Sequence, residues 1–165
     1  MPLPGQNKVT PIINVTGINT VGIYTVGVTE TAGGTGIGTT TYIRTVLMHN
    51  AGLGTCTSSV YFYPHWEEVE GVGKTDYRML RKELIPNETY YWGFQDYPII
   101  LTDREKVVVE ITAPSSGGTG IGSQVNFLVC GDENMGWASQ LINNFGRKIP
   151  KYLSYLYHVG TVTVN

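Results

Sequence analysis

Short runs in which apolar and polar residues alternate recur along most of this chain of 165 residues. In the run Lys106–Thr112, Val107, Val109 and Ile111 fall on one side, and Glu110 falls on the other. A period of two is typical of a strand that buries one face. About eight such runs follow one another at the spacing of roughly 8–12 residues that is typical of a β-sandwich. The pattern predicts an all-β, antiparallel β-sandwich, either jelly-roll or immunoglobulin-like.

The predicted strands differ in length and in the use of their two faces. In the longest, strict alternation would place Ile43 and Leu47 on one face and Val46 and Met48 on the other. The run 21–30 is partly apolar on both faces, as in a strand whose exterior is covered. Strands are predicted at residues 11–15, 21–30, 39–50, 57–63, 77–84, 89–94, 106–112 and 123–130, and residues 98–101 are either a crossing strand or a loop.

The pattern changes after residue 133. Trp137, Leu141, Ile142 and Phe145 have the spacing of one face of an amphipathic helix, and Asn134 is a suitable N-cap for it. A second short helix is predicted after the next proline, followed by a terminal strand. This apolar helix face would favour aggregation if it were exposed, so we expect it to be buried on the sandwich or on a partner.

These patterns divide the chain into an N-terminal arm (1–9), a β-sandwich domain (10–133) and a helical C-terminal extension that ends in a short strand (134–165). The last strand, Thr161–Val164, is suited to complete a sheet of a neighbouring subunit by strand addition. The side chains expected at an oligomer interface are those of Trp137, Leu141, Ile142, Phe145, Tyr152, Leu156, Val162 and Val164.

One sequence of six residues occurs twice: Gly33-Gly34-Thr35-Gly36-Ile37-Gly38 and Gly117-Gly118-Thr119-Gly120-Ile121-Gly122. Glycine clusters mark loops, so each copy is predicted to be a pliable tip between two strands. A phosphate-binding loop requires a helix after the glycines, whereas a strand-like run follows each copy. If residues 98–101 form a crossing strand, both tips lie at the same end of the sandwich; otherwise they lie at opposite ends.

The amino-acid composition supports the prediction of an all-β fold and argues against some classes of binding partner. The chain has 21 Gly and 11 Tyr, a charged fraction of 15% and a formal net charge of −2. No basic surplus indicates a nucleic-acid partner. The start of the chain has no apolar segment of signal-peptide length, and no run approaches the roughly 20 apolar residues of a membrane span. We therefore expect a protein made in a cytoplasm, with no membrane partner.

No set of residues predicts catalysis, a cofactor or a metal centre. His49, His65 and His158 are far apart in sequence. His65 lies near Glu67 and Glu68 and could hold a cation with them, but a solvated acidic loop explains the same residues. The two cysteines, at 56 and 130, lack basic neighbours that would lower a thiol pKa, and they are expected as small buried apolar residues. The sequence thus predicts a protein that is not an enzyme.

Aromatic residues suggest an alternative function. They form two groups, Tyr61, Tyr63 and Trp66 in one and Tyr90, Tyr91 and Trp92 in the other. Exposed rings of this kind serve carbohydrate-binding modules as platforms. Alternate rings can equally fill a core or a subunit interface, where Tyr and Trp are enriched.

The sequence contains several turn and strand motifs in a familiar order. They are Leu-x-x-x-Leu-Ile-Pro-Asn-Glu-Thr-Tyr, then Tyr-Pro-Ile-Ile-Leu-Thr-Asp-Arg-Glu-Lys-Val-Val-Val-Glu-Ile-Thr-Ala, then Val-Asn-Phe-Leu-Val-Cys-Gly-Asp-Glu. Together with the earlier Tyr-Ile-Arg-Thr-Val-Leu-Met-His-Asn-Ala-Gly, they resemble small β-sandwich virion proteins of tailed bacteriophages. The resemblance covers about residues 21–133. It departs from the pattern at Thr102-Asp103, where Gly-Asp is usual, and in the extension 134–165.

The resemblance implies a non-enzymatic virion structural protein. Such a protein assembles as a homo-oligomer on the head as a decoration or cement protein, at the head–tail junction, or on the tail. Its partners would be copies of itself and other virion proteins, such as the major capsid, portal or connector, and tail proteins. It would be made in the cytoplasm of the host bacterium and would reside in the virion. The alternative implied by the aromatic residues is a carbohydrate-binding module of a host-contacting tail component.

Overall fold

The computed structural model describes residues 9–30, 36–94, 96–102, 104–114 and 117–135. Within these, ten strands form two antiparallel sheets that pack face to face, so the predicted β-sandwich is confirmed. The strands are β1 (Ile13–Thr16), β2 (Asn19–Thr25), β3 (Val28–Glu30), β4 (Gly36–Asn50), β5 (Cys56–Tyr63), β6 (Arg78–Leu84), β7 (Thr89–Gly93), β8 (Ile99–Leu101), β9 (Lys106–Thr112) and β10 (Gln124–Met135). A short 3-10 turn spans Thr75–Tyr77.

The two sheets differ in outline. The first joins six strands: β1, β10 and β4 lie side by side, β7 and β8 pair with successive parts of β4, and β3 pairs with the first residues of β4. The second has four strands in the order β2-β9-β5-β6. Because antiparallel sheets can expose one face to water, the outer faces of both sheets are the natural places for a functional surface.

The core lies between the two sheets, and the alternation in β9 places side chains there as predicted. Val107, Val109 and Ile111 are fully buried in this core. Val108 and Glu110 point to the opposite face of the second sheet, and they are buried as well. The second sheet is therefore covered on its outer side.

One extra residue interrupts the regular pairing of β4 with β10. Thr45 is opposite Cys130, but Ile43 is opposite Gly131. Arg44 is therefore the inserted residue of a β-bulge, in which two residues of one strand face one residue of the other.

Beyond the bulge, the side chains of β4 that point into the core are those at even-numbered positions instead of odd-numbered ones. Ile43, Val46 and Met48 are all buried in the core, whereas Leu47 is half-buried on the outer face. The expectation that Ile43 and Leu47 share a face is wrong, because one inserted residue shifts the alternation by one position.

The first glycine sequence is in part a strand. Gly36 and Gly38 lie inside β4 and pair with β3, while Gly33 and Gly34 lie outside the described residues. The prediction that Gly36 and Gly38 belong to a loop tip is wrong, because the backbone groups there join the β3–β4 ladder.

The second glycine sequence is a loop that passes from β9 in the second sheet to β10 in the first. Gly117, Gly118, Gly120 and Gly122 all have positive φ, at 94°, 149°, 67° and 76°, which glycine adopts at low cost. The Ser123 hydroxyl donates to the Gly120 carbonyl at 2.7 Å, and Gly120 is buried. The predicted loop is confirmed, with its last turn bonded to the fold.

The two glycine sequences lie at opposite ends of the sandwich. β4 starts at the first copy, and its last residue, Asn50, is opposite Val125, beside the second copy. β7 and β8 both pair antiparallel with β4 and follow each other along it, so they make a single traverse. Between the copies, β4, β5, β6, the joined β7 and β8, and β9 make five crossings. The prediction that a strand at 98–101 would bring both copies to one end is therefore wrong.

β10 continues to the end of the described residues. Asn134 and Met135 are opposite Thr40 and Thr39, so Asn134 lies within a strand rather than capping a helix. The predicted interface residues Trp137, Leu141, Ile142, Phe145, Tyr152, Leu156, Val162 and Val164 lie outside the described residues, as do residues 1–8 of the arm predicted at 1–9.

Asn50 fixes the turn between β4 and β5. Its buried side chain donates from Nδ2 to the carbonyls of Gly54 at 2.9 Å and Leu84 at 3.0 Å. Its Oδ1 accepts from the Gly52 amide at 2.9 Å. One side chain thus bonds three backbone groups, of which the Gly52 amide also donates to the Gln124 carbonyl at 3.1 Å.

We expect Asn50→Ala to lower the free energy of unfolding by about 2 kcal/mol, because it removes the side-chain donor to the Gly54 and Leu84 carbonyls, the second of which is buried. Urea denaturation followed by tryptophan fluorescence measures the loss. Asn14→Ala is the control, since the exposed Asn14 bonds only the Asn126 side chain, and its cost should be within about 0.5 kcal/mol. Equal losses in the two variants would contradict the role of Asn50.

Candidate functional site

The outer face of the second sheet is covered by residues 64–77, which link β5 to β6 and which we call the covering segment. Tyr61, Tyr63 and Val108 are buried on this face, and Tyr77 of the segment packs against them. The rings of Tyr63 and Tyr77 meet edge to face, with centroids 5.3 Å apart. The covering segment therefore builds a second, smaller apolar cluster outside the main core.

Glu110 is the charged residue beneath the covering segment, and only 8% of it is exposed. Its Oε1 accepts from the Tyr61 hydroxyl at 3.0 Å. Its Oε2 accepts from the Thr20 hydroxyl at 3.0 Å and from the Gly73 amide at 2.5 Å. A buried carboxylate is tolerated only with such donors. The bond to Gly73 ties the covering segment to the sheet.

The hydrogen bond from Gly73 to Glu110 requires the backbone of Gly73 to lie close to the Tyr61 ring. A Cβ at Gly73 would lie 2.4 Å from Cζ of Tyr61, so a larger residue would push the segment away from the ring. Burial raises the pKa of Tyr61, and the hydrogen bond to Glu110 raises it further. The phenol therefore stays protonated at neutral pH and keeps donating to the carboxylate.

The acidic residues of the covering segment serve its own structure. The Glu67 carboxylate accepts from the Lys74 ammonium and, at 3.1 Å, from the Tyr77 hydroxyl. The hydrogen bond from Lys74 lowers the pKa of Glu67. His65, which was considered as a cation ligand with Glu67, packs its ring against Trp66 at 4.9 Å. Among the described residues, no three His, Cys, Asp or Glu side chains are grouped so that they could hold a metal ion.

A polar cleft of about 330 Å³ opens between the covering segment and the outer face of the second sheet. Hydroxyl groups, two guanidinium groups and one carboxylate converge on it. The polar residues that line it are Ser59, Tyr61, Thr75, Arg78, Arg81, Glu110 and Thr112. We call this site the polar cleft.

The outer face of the first sheet carries a line of apolar side chains. Leu128 of β10 is opposite Leu47 of β4, which is opposite Tyr91 of β7, and Ile12 precedes the residue paired with Phe127. Ile12 is 62% exposed and Tyr91 is 56% exposed. These four residues, which we call the apolar row, cross four neighbouring strands. In the part of the chain that the structure describes, no segment covers them.

A polar row runs beside the apolar row on the same face, two residues along each strand. Asn14 donates to Asn126 at 2.5 Å, and His49 bonds Thr89 at 2.8 Å between the ring Nδ1 and the hydroxyl. A groove of about 280 Å³ lies where the two rows meet. Neither row contains a carboxylate, an amine or a guanidinium group, so this part of the face offers shape and apolar area, and the Arg44–Asp132 ion pair lies beyond it at the bulge.

The aromatic residues considered for sugar binding are dispersed. Tyr61 and Tyr63 are buried beneath the covering segment, and Trp92 is half-buried and packed against the core. The exposed rings are Trp66, in the covering segment of the second sheet, and Tyr91, on the first sheet. Because these two rings lie over different sheets, they do not form one platform.

Cys56 and Cys130 are both buried thiols. Cys56 belongs to the core, and burial raises the pKa of its thiol. Cys130 lies at the bulge end of the outer face of the first sheet. Both match the small buried residues that the sequence predicted.

Sequence reasoning missed the polar cleft and the apolar row. A signal for the first is Glu110 itself, a charged residue within a strand that is otherwise aliphatic on both faces. The signal for the second is weaker, because the bulge at Arg44 hides the outward position of Leu47 from an alternation pattern.

Comparison with known protein families, with curated proteins and with solved structures gave no match. Among the described residues there is no helix with the length and apolar character needed to cross a membrane.

Proposed function

We propose that this chain is a non-enzymatic structural protein of a bacteriophage virion and that it assembles as a homo-oligomer. The proposal that the chain forms a homo-oligomer is supported by the apolar row on the outer face of the first sheet. The phage part rests on the sequence resemblance within residues 21–133. The finer assignment to a jelly-roll or immunoglobulin-like topology with a helical extension belongs to the same proposal.

The apolar row has the properties of a contact between identical subunits. Full burial of a large apolar side chain stabilises a contact by about 1.5–3 kcal/mol, and Ile12 and Tyr91 are both more than half exposed. The two rows carry no carboxylate, amine or guanidinium group, so this part of the face can meet a second copy of itself without repulsion between such groups, which suits a symmetric dimer contact. The opposite sheet is occupied by its own covering segment, which leaves the first sheet as the face for a neighbour.

In the virion, the neighbour is a second copy of this chain, and the site is the head surface, the head–tail junction or the tail. Contacts with the major capsid, portal, connector or tail proteins would use other parts of the chain, including its terminal segments. Cryo-electron microscopy of particles that contain the chain tests this placement. Density for the sandwich repeated around a symmetry axis, with the apolar rows in contact, is the expected result.

We expect Leu47→Lys to abolish self-association of the full-length protein in sedimentation experiments. The lysine stem can lie along the sheet while its charge repels the same residue of a second copy. Met79→Lys is the matched control, because Met79 is 56% exposed on the second sheet and receives the same change. It should associate like the natural chain, and thermal melts should show that both variants remain folded.

Two results would contradict the use of the apolar row. One is a natural chain that stays monomeric at every concentration tested and in the particle map contacts its neighbours through other surfaces. The other is a Leu47→Lys protein that associates as strongly as the Met79→Lys protein.

A further inference from the structure

The polar cleft has hydrogen-bonding capacity that the fold does not use. Arg78 and Arg81 of β6 are opposite Tyr61 and Ser59 of β5. Because Ser59 and Tyr61 are two residues apart on one strand, the two arginines emerge on one face, roughly 7 Å apart. Their side chains both line the cleft.

Two cations elsewhere in these sheets have carboxylate partners. Lys82 pairs with Glu88 at 3.3 Å, and Arg44 pairs with Asp132 at 3.5 Å. Within the described ranges, neither arginine of the polar cleft takes part in an ion pair. Arg78 is half-buried opposite Tyr61, and Arg81 is exposed at the rim.

The carboxylate of Glu110 does not neutralise these arginines directly. Both of its oxygens are engaged by Tyr61, Thr20 and Gly73, which hold it in the floor of the cleft. Two guanidinium groups and one carboxylate leave the lining with one net positive charge. A ligand with a single negative charge would balance it.

The lining also selects the shape of that ligand. A guanidinium group presents a planar fork that matches a carboxylate in two parallel hydrogen bonds. The hydroxyls of Ser59, Thr75 and Thr112 can each donate and accept, which suits a molecule rich in hydroxyl groups. A dianionic phosphate would bring its second charge towards Glu110. The volume of about 330 Å³ lies at the lower end of the range of small-molecule sites.

We propose that the polar cleft binds a sugar acid, with its carboxylate on Arg81 and Arg78 and its hydroxyls on the three hydroxyl side chains. Recognition is by hydrogen bonds rather than by ring stacking, because the Tyr61 ring is buried. This inference is independent of the proposed assembly, since the polar cleft lies on the second sheet and the apolar row lies on the first.

The test is a titration of the full-length, ¹⁵N-labelled protein with glucuronate, followed by the amide signals. We expect saturable shifts at Gly73, Thr75 and Arg81, weaker binding at high salt, and no saturable shifts with glucose. Arg81→Gln should weaken binding by about tenfold or more, the contribution expected of a charge-assisted hydrogen bond. Its spectrum without ligand should otherwise match that of the natural chain.

Lys82→Gln is the matched control, because it removes one positive charge from the same strand while its side chain lies over the Tyr90 ring, away from the cleft. It should bind glucuronate like the natural chain. Equal weakening in both variants would show general charge attraction and overturn the proposal. So would the absence of saturable shifts, equal shifts with acetate, or tighter binding of inorganic phosphate.

Discussion

Gly131→Ala is expected to lower the free energy of unfolding by about 3–5 kcal/mol, which is at the upper end for one substitution. A Cβ at Gly131 would lie 1.9 Å from the carbonyl oxygen of Tyr42 and 3.1 Å from the Cα of Ile43. Both atoms belong to the backbone of β4, so no side-chain rotation relieves the clash. The two longest strands of the first sheet would have to separate at the bulge.

Urea denaturation of both proteins measures this cost, and Gly54→Ala is the control. A Cβ at Gly54 would meet nothing within 4 Å, and its φ is not in the left-handed region. Its replacement should change stability by less than about 1 kcal/mol, with a small gain possible from the stiffer unfolded chain. If Gly131→Ala unfolds within about 1 kcal/mol of the natural chain, β4 and β10 do not approach each other as closely as described.

Glu110→Ala is expected to lower the free energy of unfolding by about 3–4 kcal/mol and to release the covering segment from the sheet. The substitution removes the acceptor for Tyr61, Thr20 and Gly73 at once, and each buried donor left without a partner costs about 1–3 kcal/mol. The loss should be smaller than the sum of these costs, because the freed segment can admit water.

Two measurements distinguish local release from general destabilisation. Hydrogen exchange at the Gly73 amide should accelerate far more than exchange in β10, and proteases should cut within residues 64–77. Thr112→Ala, on the same face of β9, should leave both properties nearly unchanged. A Glu110→Ala protein that retains slow exchange at Gly73 would show that other contacts hold the covering segment.

Much of the sandwich could be predicted from local pattern alone. β9 places a branched apolar residue at every second position, Val107, Val109 and Ile111, and this predicted face is the one that lies in the core. The division of the run 21–30 into β2 and β3, and the pairing of the separate strands β7 and β8 with one strand, β4, in a single traverse, could not be predicted. In both cases the arrangement depends on which partner strand is available, and pairing partners are distant in sequence.

The polar cleft is a product of tertiary structure. Ser59, Arg78 and Glu110 come from three strands, and only the order β9-β5-β6 brings them together. None of them has a suggestive neighbour in the sequence. The predicted functional surface, in contrast, was assigned to Trp137 and the residues after it, and it stays a prediction because it lies outside the described residues.

The bulge at Arg44 makes β4 unusually sensitive to changes in length. Deletion of this one residue would restore the regular alternation and turn the remainder of the strand over. Leu47 would enter the core, and Val46 and Met48 would move to the solvent side. Length variation is usually tolerated in loops, but here the gain or loss of one residue would exchange the core-facing side chains of the strand for those of its outer face. Any natural variant of this protein that keeps the apolar row must therefore preserve the residue count between Ile43 and Leu47, even where it changes the residues themselves.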